Sequence, residues 1–523
     1  MRWLRMLGVV LLMLVAVGVL ISASADLPPL SGRTQSRAFA HTEETALGRA
    51  FRPQADAHAG LSGIHLLPGG LDAFASRALL ARSAERSIDA QYYIWRGDLT
   101  GTLLFHELIA AADRGVRVRL LLDDNPTKGL DDLLASVDAH PNIEVRLFNP
   151  FVLRKLRVLG YLTDFDRLNR RMHNKSFTVD NQMTIIGGRN VGDEYFDAAE
   201  GALFVDLDVL AVGPVVGAVS KDFDRYWRSA SSYPASRILG NSGAQALADG
   251  ASRAAAITRS REARDYLAAA VRRPLIAQLA SGQLSFEWSP VRLISDDPAK
   301  GLGRAGAGEL LISRLDDLLQ SPRTDLNLVS GDFVPTKRGV EVLTAIRRRG
   351  VRVAVVTNSL EATDVPIVHA GYAKWRRELL QAGITIWEIK ASAAGHALRS
   401  DTAPGSGGSA SSGAGSALHA KTFSVDGQRL FVGSFNFDPR SARLNTELGF
   451  VISSPALARE IDSRLSQLVA QGAYEVELSD SGKPLWKERI GQRIATYRTE
   501  PGTTPWQRFL VRLLSLLPIE WML

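Results

Sequence analysis

His173-Asn174-Lys175-Ser176-Phe177-Thr178-Val179-Asp180 is the stretch that decides the fold, because its pattern returns at His419-Ala420-Lys421-Thr422-Phe423-Ser424-Val425-Asp426. Both copies have the form His-x-Lys-x4-Asp, and they lie 246 residues apart. Gly187-Gly188-Arg189-Asn190 begins 14 residues after the first His, and Gly433-Ser434-Phe435-Asn436 begins 14 residues after the second. This shared register predicts a duplicated unit whose two copies bring two imidazoles into one site.

Each motif alternates as a β-strand does, which places the His, the Lys and the residue two beyond it on one face. Asp180 and Asp426 are expected to end these strands at turns and to brace the turns rather than touch a substrate. A second strand then delivers Gly-Gly or Gly-Ser and an Asn. The alternative is that each His is an ordinary partly buried histidine. It is disfavoured because a chain with only nine His is unlikely to repeat the eight-residue pattern, with its downstream Gly and Asn, by chance.

The residue types in the motifs favour phosphodiester chemistry. Histidine titrates near neutrality, so a pair can supply one neutral nucleophile and one protonated acid. Lysine, asparagine and serine side chains can neutralise the equatorial oxygens of a phosphate under attack. The candidates for that second role are Lys175, Lys421, Asn190, Asn436 and Ser434. This set of groups requires no metal ion and no cofactor.

Composition sets broad limits on the protein. A chain of 523 residues exceeds one typical core and allows two domains or a duplicated one. The net charge of +7 fits a partner that carries phosphate, either anionic lipid or nucleic acid. The chain has no Cys, which excludes disulfides, thiol catalysis and thiolate metal sites.

The first 25 residues are predicted to be a signal peptide or a membrane anchor. Arg2 and Arg5 precede an uncharged run over residues 6–24, and Ala23-Ser24-Ala25 offers a small-x-small cleavage site. The positive end stays in the cytoplasm in either case, so the rest of the chain is expected outside it. The alternative is a helix of a soluble domain.

The halves are predicted to share an α/β plan. Residues 87–95 alternate as a strand, 103–112 have helical spacing and 116–122 form the next strand, which together indicate a parallel crossover. Asp123-Asp124 at the end of this unit is expected to form a turn or a helix cap. Residues 325–349 repeat the strand and the helix in the second half.

These patterns divide the chain into a pseudo-twofold pair of α/β halves with the active site at the seam. The predicted segments are 1–25 (signal peptide or anchor), 26–65 (polar lead-in), 66–230 (first half), 231–290 (helical connector), 291–500 (second half) and 501–523 (C-terminal amphipathic helix). The Gly/Ser-rich tract 391–417 is expected to form a flexible loop near the second motif. The C-terminal helix is so widely apolar that it suits either a lipid interface or packing on the protein body.

The paired motifs resemble those of the phospholipase D superfamily. Further stretches resemble the bacterial cardiolipin synthases, closest to their C type: GVRVRLLLDDN at 115–125, RLNRRMHNKSFTVD at 167–180, LHAKTFSVDG at 418–427 and LLPIEWML at 516–523. The resemblance covers roughly residues 66–523. It implies two phospholipase D-like halves and a location at a bacterial membrane. Together with the predicted export, this location would place the catalytic part on the non-cytoplasmic side.

The resemblance also implies a reaction and residue roles. A phosphatidyl group would pass through a phosphohistidine to phosphatidylglycerol, with phosphatidylethanolamine as the partner lipid, at the membrane surface. His173 would be the nucleophile and His419 the acid and base, although the near symmetry of the motifs gives no internal reason for this order. Asp206 and Glu447 would hold the two imidazole tautomers.

Other functions use the same residues. A phospholipase D would let water take the phosphatidyl group, and sequence does not separate this enzyme from a synthase. A nuclease of the superfamily is disfavoured because no series of basic and aromatic residues for single strands is present, so no nucleic-acid partner is expected. An inactive lipid-binding scaffold is disfavoured because both motifs keep His and Lys. A protein partner is left open.

Overall fold

The computed structural model describes most of the chain. The described ranges are 26–199, 203–240, 244–391 and 417–523. The predicted signal or anchor segment and residues 392–416 of the Gly/Ser-rich tract lie outside the described residues. Among the described helices, none combines the length and apolar character needed to span a bilayer.

The first half is built on a nine-stranded sheet in the order β10-β1-β8-β6-β5-β2-β3-β4-β9. Its strands, with the short β7 that lies outside this sheet, are β1 (Ser62–Leu67), β2 (Ser87–Tyr92), β3 (Arg117–Asp123), β4 (Ile143–Phe148), β5 (Ser176–Val179), β6 (Met183–Gly187), β7 (Phe204–Val205), β8 (Asp208–Val212), β9 (Ser232–Pro234) and β10 (Glu287–Ser289). Strands β2, β3 and β4 are parallel to one another, and the other pairings are antiparallel.

The second half is built on a ten-stranded sheet in the order β11-β18-β17-β16-β12-β13-β14-β19-β20-β21. Its strands, with the short β15, are β11 (Val291–Ser295), β12 (Asp325–Ser330), β13 (Arg352–Asn358), β14 (Thr385–Ile389), β15 (Ala417–Leu418), β16 (Lys421–Val425), β17 (Arg429–Gly433), β18 (Leu448–Ile452), β19 (Ala473–Leu478), β20 (Pro484–Ile490) and β21 (Arg493–Tyr497). From β11 to β19 its strand order repeats that of β1 to β9 in the first sheet. The predicted duplication of an α/β unit is therefore confirmed.

Helices cover both sheets. They are α1 (Ala46–Ala57), α2 (Gly70–Ser83), α3 (Leu99–Asp113), α4 (Asp131–Asp138), α5 (Arg157–Thr163), α6 (Phe165–Leu168), α7 (Pro214–Trp227), α8 (Ala235–Ile238), α9 (Ala244–Thr258), α10 (Arg261–Val271), α11 (Pro274–Ala280), α12 (Leu311–Gln320), α13 (Thr336–Arg348), α14 (Pro366–Ala373), α15 (Arg376–Gln381), α16 (Pro439–Arg443), α17 (Pro455–Gly472) and α18 (Pro505–Ser515). Helices α3 and α13 follow the first parallel strand of their halves, as the sequence predicted.

The two halves meet in a shared apolar core. Ile186 on β6 and Val209 on β8 belong to the same buried cluster as Val432 on β17 and Phe450 on β18. These strands correspond to one another in the two sheet orders. Burial of these side chains joins the halves along equivalent surfaces, because removing apolar area from water is the main favourable force in association. The seam is thus part of the hydrophobic core.

The folded region begins earlier than the sequence suggested. Residues 26–65 were expected to be a polar lead-in, but they contain α1 and most of β1, which pairs with both β8 and β10. Leu47 and Phe51 on α1 are buried in the core of the first half. The predicted helical connector 231–290 is largely helical, and its short strands β9 and β10 add to both edges of the first sheet.

An extended segment before α1 is fixed to the first half by a buried ionic network. The Arg119 guanidinium donates to both oxygens of Asp89, each at 2.7 Å, and to Asp224 Oδ1 at 2.8 Å. The same guanidinium donates to the backbone oxygen of Ser36 at 3.1 Å, and the Ala38 N–H donates to Asp224 at 3.1 Å. Charge-assisted bonds of this kind are stronger than neutral ones, so this network secures the segment.

Arg119→Ala should lower the free energy of unfolding by about 3–5 kcal/mol, because it leaves two buried carboxylates without their cation. Arg352→Ala is the control, since Arg352 is 81% exposed in its pair with Asp325 and such pairs contribute less than about 1 kcal/mol. Urea denaturation of both variants measures the difference. Equal losses of stability would contradict the assigned role of Arg119.

Candidate active site

The two catalytic motifs enter the site just before their strands. β5 begins at Ser176 and β16 at Lys421, so both His residues precede the sheet, whereas the sequence predicted a strand that begins at each His. The His173 N–H donates to Thr446 O at 2.8 Å, and the His419 N–H donates to Val205 O at 2.8 Å. Each backbone therefore leaves its own sheet because it bonds to the other half.

The His side chains pair with carboxylates across the seam. His173 Nδ1 lies 2.8 Å from Glu447 Oε2, and His419 Nδ1 lies 2.5 Å from Asp206 Oδ2. The sequence identified both carboxylates but could not assign each to its ring, and the structure shows that the pairing is crossed. Because Nδ1 faces the carboxylate in both rings, Nε2 is the atom left to face a substrate.

Glu447 is held by a dense set of donors. The Ser441 hydroxyl donates to Oε1 at 2.8 Å, and the Ser434 hydroxyl donates to Oε2. Ser434 was expected to contact substrate phosphate, and this contact stays a prediction, since in this structure its hydroxyl donates to Glu447. Leu448 N–H donates to the same Ser434 oxygen at 3.1 Å. Ser434 is therefore a positioning residue for the carboxylate of the first His.

Each motif Lys bonds to the backbone of the His in its own motif. Lys175 Nζ donates to His173 O at 2.7 Å, and Lys421 Nζ donates to His419 O. Both side chains are almost fully buried. Burial lowers the pKa of Lys175 well below its ordinary value and lowers the pKa of Lys421 as well. A bound phosphate would favour the charged form of both amines.

The two Asn residues have different surroundings. Asn190 Nδ2 donates to Tyr195 Oη at 3.0 Å, and its Oδ1 accepts from Ile94 N at 3.1 Å. Asn436 Nδ2 donates instead to Asp332 Oδ2 at 3.3 Å. Phosphate binding by either Asn stays a prediction. The site therefore contains an asymmetry that the matching sequence motifs do not show.

Aromatic rings flank the two imidazoles. The ring of Tyr93 lies edge-on to His173 with centroids 5.1 Å apart, and Tyr195 lies edge-on to His419 at 5.2 Å. Phe204 contacts the second ring at 5.1 Å. Sequence reasoning missed these residues. Tyr93 belongs to the aromatic end of a strand, which is the one signal that could have indicated a position above the site.

The motif Asp residues serve the turns, as expected. Asp180 accepts backbone N–H bonds from residues 85–87, and Asp426 accepts them from residues 323–325. Both Asp residues adopt positive φ, 51° for Asp180 and 56° for Asp426, a conformation that Asp and Asn tolerate better than most residues. These bonds tie the end of each motif strand, β5 or β16, to the start of its antiparallel neighbour, β2 or β12.

Asp123 has a role that sequence reasoning missed. The turn expected at Asp123-Asp124 is present, since Asp123 Oδ1 accepts from Asn125 N at 2.9 Å. The same carboxylate also accepts from Arg171 Nε at 2.9 Å and from Met172 N at 2.8 Å. It therefore holds the two residues directly before His173. Asp124 instead forms ion pairs with Arg154 and Arg157.

The electrostatics of the two His pairs differ. Burial, with Lys175 and Lys421 nearby, lowers the pKa of His173 well below its ordinary value. Burial and Lys421 lower the pKa of His419 to about 4. Burial raises the pKa of Glu447 to about 7. Although burial alone would raise it, His419 and Lys421 lower the pKa of Asp206 below its ordinary range.

Two α/β halves that share paired His-Lys-Asp motifs across one seam define a phospholipase D-like enzyme. The sequence matches the family described as cardiolipin synthase, PLD-like domain, over residues 79–227 and 315–469. It is 50% identical over 477 residues to cardiolipin synthase C of Escherichia coli K12, which covers 91% of this chain and 99% of that protein. Cardiolipin synthase B of the same strain is 22% identical over 423 residues, 81% of this chain and 84% of that protein.

A solved structure shares the fold. Phosphatidylserine synthase from Haemophilus influenzae Rd KW20 aligns with a TM-score of 0.54 at 13% identity, over 91% of this chain and 100% of that chain. The family match spans both halves and more than half of the chain. The chain therefore belongs to the cardiolipin synthase, PLD-like domain family, and it is a phosphatidyltransferase of the phospholipase D type.

Glu447→Gln should remove one limb of the pH profile. The pKa of Glu447 is raised to about 7. The ionised carboxylate, which accepts a hydrogen bond from His173 Nδ1–H, therefore forms only as the pH rises through this value. We expect kcat/KM for headgroup release to rise with pH around 7 in the wild type. In Glu447→Gln this rise should vanish and kcat should fall roughly 100-fold or more.

Asp206→Asn provides the matched control for this profile. The pKa of Asp206 is lowered, so Asp206 stays ionised from pH 5 to 9 and its replacement should reduce the rate without removing the rise near neutrality. Initial rates between about pH 5 and 9 measure both variants. A rise near pH 7 that persists in Glu447→Gln would contradict the assignment.

Proposed function

We propose that phosphatidylethanolamine supplies the phosphatidyl group, and phosphatidylglycerol the accepting hydroxyl, in the cardiolipin synthesis that this phosphatidyltransferase performs. The observation that carries the proposal is the crossed pairing of His173 with Glu447 and of His419 with Asp206. It leaves Nε2 of each ring free, as a reaction that uses two imidazoles at one phosphorus atom requires. The shared names of the relatives point to the same product.

In the first proposed step, His173 Nε2 attacks the phosphorus of the donor lipid. The new P–N bond forms as the bond from phosphorus to the ethanolamine oxygen breaks. His419 Nε2–H gives its proton to that departing oxygen, so free ethanolamine leaves and a phosphatidyl group stays on His173. Lys175 and Lys421 would stabilise the phosphate oxygens in the transition state.

In the second proposed step, the free glycerol hydroxyl of phosphatidylglycerol attacks the same phosphorus. His419, now neutral, takes the hydroxyl proton at Nε2, and the P–N bond breaks. Cardiolipin leaves, His173 returns to its neutral form and His419 returns to its protonated form. Atoms and protons balance over the cycle, and no water takes part.

The order of the two His residues is supported by their partners. Asp206, with its lowered pKa, stays ionised beside His419 and favours a proton on that ring. Glu447, with its raised pKa, does so less strongly for His173. Near neutral pH His173 is therefore the better nucleophile and His419 the better acid. Burial lowers the pKa of His419 to about 4 in the free site, and a bound phosphodiester anion would raise it again and favour the protonated acid.

The aminated donor is supported by Asp332. This residue follows β12, its carboxylate accepts from Asn436, and burial raises its pKa to about 6, with Lys421 opposing the shift. The corresponding position of the first half is Ile94, so the carboxylate exists on one side of the site alone. A primary ammonium would form a charge-assisted hydrogen bond with Asp332.

The membrane surface is the proposed place of action. The lipids in question reside in bilayers, and α18 exposes Trp506 and Phe509. We further propose that the catalytic part works at the non-cytoplasmic face of a bacterial membrane, because Arg2 and Arg5 precede the uncharged run 6–24.

Single replacements of the two His residues should separate their roles. His173→Ala and His419→Ala should each reduce cardiolipin formation from natural lipids at least about 1000-fold. With a p-nitrophenyl phosphatidyl ester, whose leaving group needs no acid, His419→Ala should still release p-nitrophenol in a burst and accumulate a phosphoenzyme. His173→Ala should give neither.

Lipid chromatography of the products from mixed phosphatidylglycerol and phosphatidylethanolamine tests the reaction itself. Cardiolipin together with free ethanolamine supports the proposal. Phosphatidic acid as the main product would replace it with hydrolysis, and a burst in His173→Ala but not in His419→Ala would reverse the two roles.

Asp332→Asn should change the choice of donor. We expect kcat/KM for ethanolamine release to fall on the order of tenfold, because a buried ion pair with the ammonium is lost. Glycerol release from phosphatidylglycerol alone should change less than about twofold, since glycerol carries no charge. Asp364→Asn, which removes an exposed carboxylate nearby, is the control and should have a smaller effect. An unchanged ratio of the two products in Asp332→Asn would contradict the role of this residue.

A further inference from the structure

The first half exposes an apolar patch on the two short helices α5 and α6. Val158 is 78% exposed and Leu162 is 81% exposed. Phe165 and Leu156 are exposed beside them. Val158 and Leu162 lie on one face of α5, because side chains at i and i+4 align. Phe165 begins α6, after Asp164 separates the two helices. We call these four residues the first-half patch.

The second half exposes a larger apolar patch at the C-terminal end. Helix α18 packs on α14 through Val511 and Leu514. Its opposite face is also apolar, with Trp506 exposed to 68% and Leu516 to 79%. The full C-terminal patch consists of Trp506, Phe509, Leu513, Leu516, Leu517 and Trp521. A helix that is apolar on both faces, with only one face packed, indicates that the other face meets an apolar surface.

The two patches are joined by α16. Arg440 Nη1 donates to the Asn169 backbone oxygen at 3.0 Å, directly after α6. The Arg440 N–H donates to Leu523 O at 2.8 Å, within the C-terminal segment. Arg170 Nη1 in turn donates to Arg443 O at 3.2 Å. These bonds hold the residue that follows α6 and the C-terminal residue on the same short helix, so the segments that carry the two patches are neighbours, and each half supplies one of them.

This side of the molecule lies against the active site. Tyr161 on α5 donates to Asn125 Oδ1 at 3.1 Å, and Asn125 forms a side-chain hydrogen bond with Tyr93, whose ring faces His173. From α16, Ser441 donates to Glu447, the carboxylate of the same His. Each connection passes through few side chains. The patches consequently flank the seam where the two motifs meet.

We infer that the first-half patch and the C-terminal patch together form one docking face for a phospholipid bilayer, which orients the seam towards the membrane. Trp506 and Trp521 suit the interfacial region, where an apolar ring and a polar N–H are both accommodated. Lys155, Arg443 and Arg512 are exposed basic residues on this side, against the exposed Asp166. This excess of positive charge favours an anionic surface.

The inference depends on the proposed function in one respect: the proposed substrates are lipids of a bilayer. Both halves must touch the membrane at once, because the seam between the patches is where the substrate enters. A single amphipathic helix would anchor the protein but leave the seam free to rotate away from the lipid. Contact at two separate patches removes that freedom, as bivalent binding does in general.

The absence of Cys allows direct detection of this contact. Full-length Leu162→Cys and Leu513→Cys are labelled with the environment-sensitive fluorophore NBD and mixed with vesicles of phosphatidylglycerol and phosphatidylethanolamine. Ile494→Cys is the matched control, since Ile494 is 61% exposed but lies on the edge strand β21. NBD emission should rise roughly twofold or more at positions 162 and 513, and lipid-borne spin labels should quench it. Position 494 should show neither effect.

A second set of variants tests the consequence for activity. Val158→Asp/Leu162→Asp should reduce cardiolipin formation on vesicles roughly tenfold, while turnover of short-chain lipid dissolved as monomers stays within about twofold. Ile490→Asp/Ile494→Asp should change neither rate.

Three outcomes would overturn the docking face. They are no NBD response at position 162, equal responses at 162 and 494, or equal losses on vesicles and on monomers. The NBD readout does not depend on turnover. If the labels respond but no cardiolipin is formed, the proposed function fails while the docking face stands.

Discussion

The structure depends on one constraint: each catalytic imidazole is paired with a carboxylate that belongs to the other half. His173 needs Glu447, and His419 needs Asp206. An isolated buried carboxylate costs free energy unless it is paired and hydrogen-bonded, so both pairs also tie the halves together. The apolar seam formed by β6, β8, β17 and β18 supplies the remaining attraction. The chemistry and the assembly of the two halves therefore require the same contacts.

The two motifs are nearly identical in sequence but differ in their electrostatics. Glu447 accepts from two serine hydroxyls, yet burial keeps its pKa near 7, whereas His419 and Lys421 stabilise the ionised form of Asp206. The Asn residues diverge similarly, with Asn190 against Tyr195 and Asn436 against Asp332. The proposed double displacement uses one imidazole as nucleophile and the other as acid, so two identical surroundings would not favour this division. The surroundings of the motifs, rather than the motifs, distinguish the two His residues and support the proposed division of roles between them.

Much of this arrangement could be predicted from the sequence. The repeat of His-x-Lys-x4-Asp with its downstream Gly and Asn gave the duplicated α/β plan, and the paired carboxylates were identified at comparable distances beyond the motifs. The crossing of the pairs could not be predicted, because sequence spacing says nothing about which half folds over the other. The hydrogen bonds of Ser434 could not be predicted for a similar reason: it directly follows β17, as expected, but Leu448, which bonds to its hydroxyl, begins β18. The secondary structure of residues 26–65 was not predicted because α1 and β1 are short. Their burial depends on contacts with residues more than 100 positions away.

The crossed pairing has a consequence for how such a chain changes over generations. A single half on its own carries a His without its carboxylate, so the unit from which the repeat arose had to associate with a copy of itself to be active. Fusion into one polypeptide fixed that association and allowed the sequences of the two copies to differ. In one chain the two halves can differ, as they do at Asp332 and at the equivalent Ile94, without either residue being imposed on both. Covalent linkage thus turned a symmetrical pair into two specialised partners.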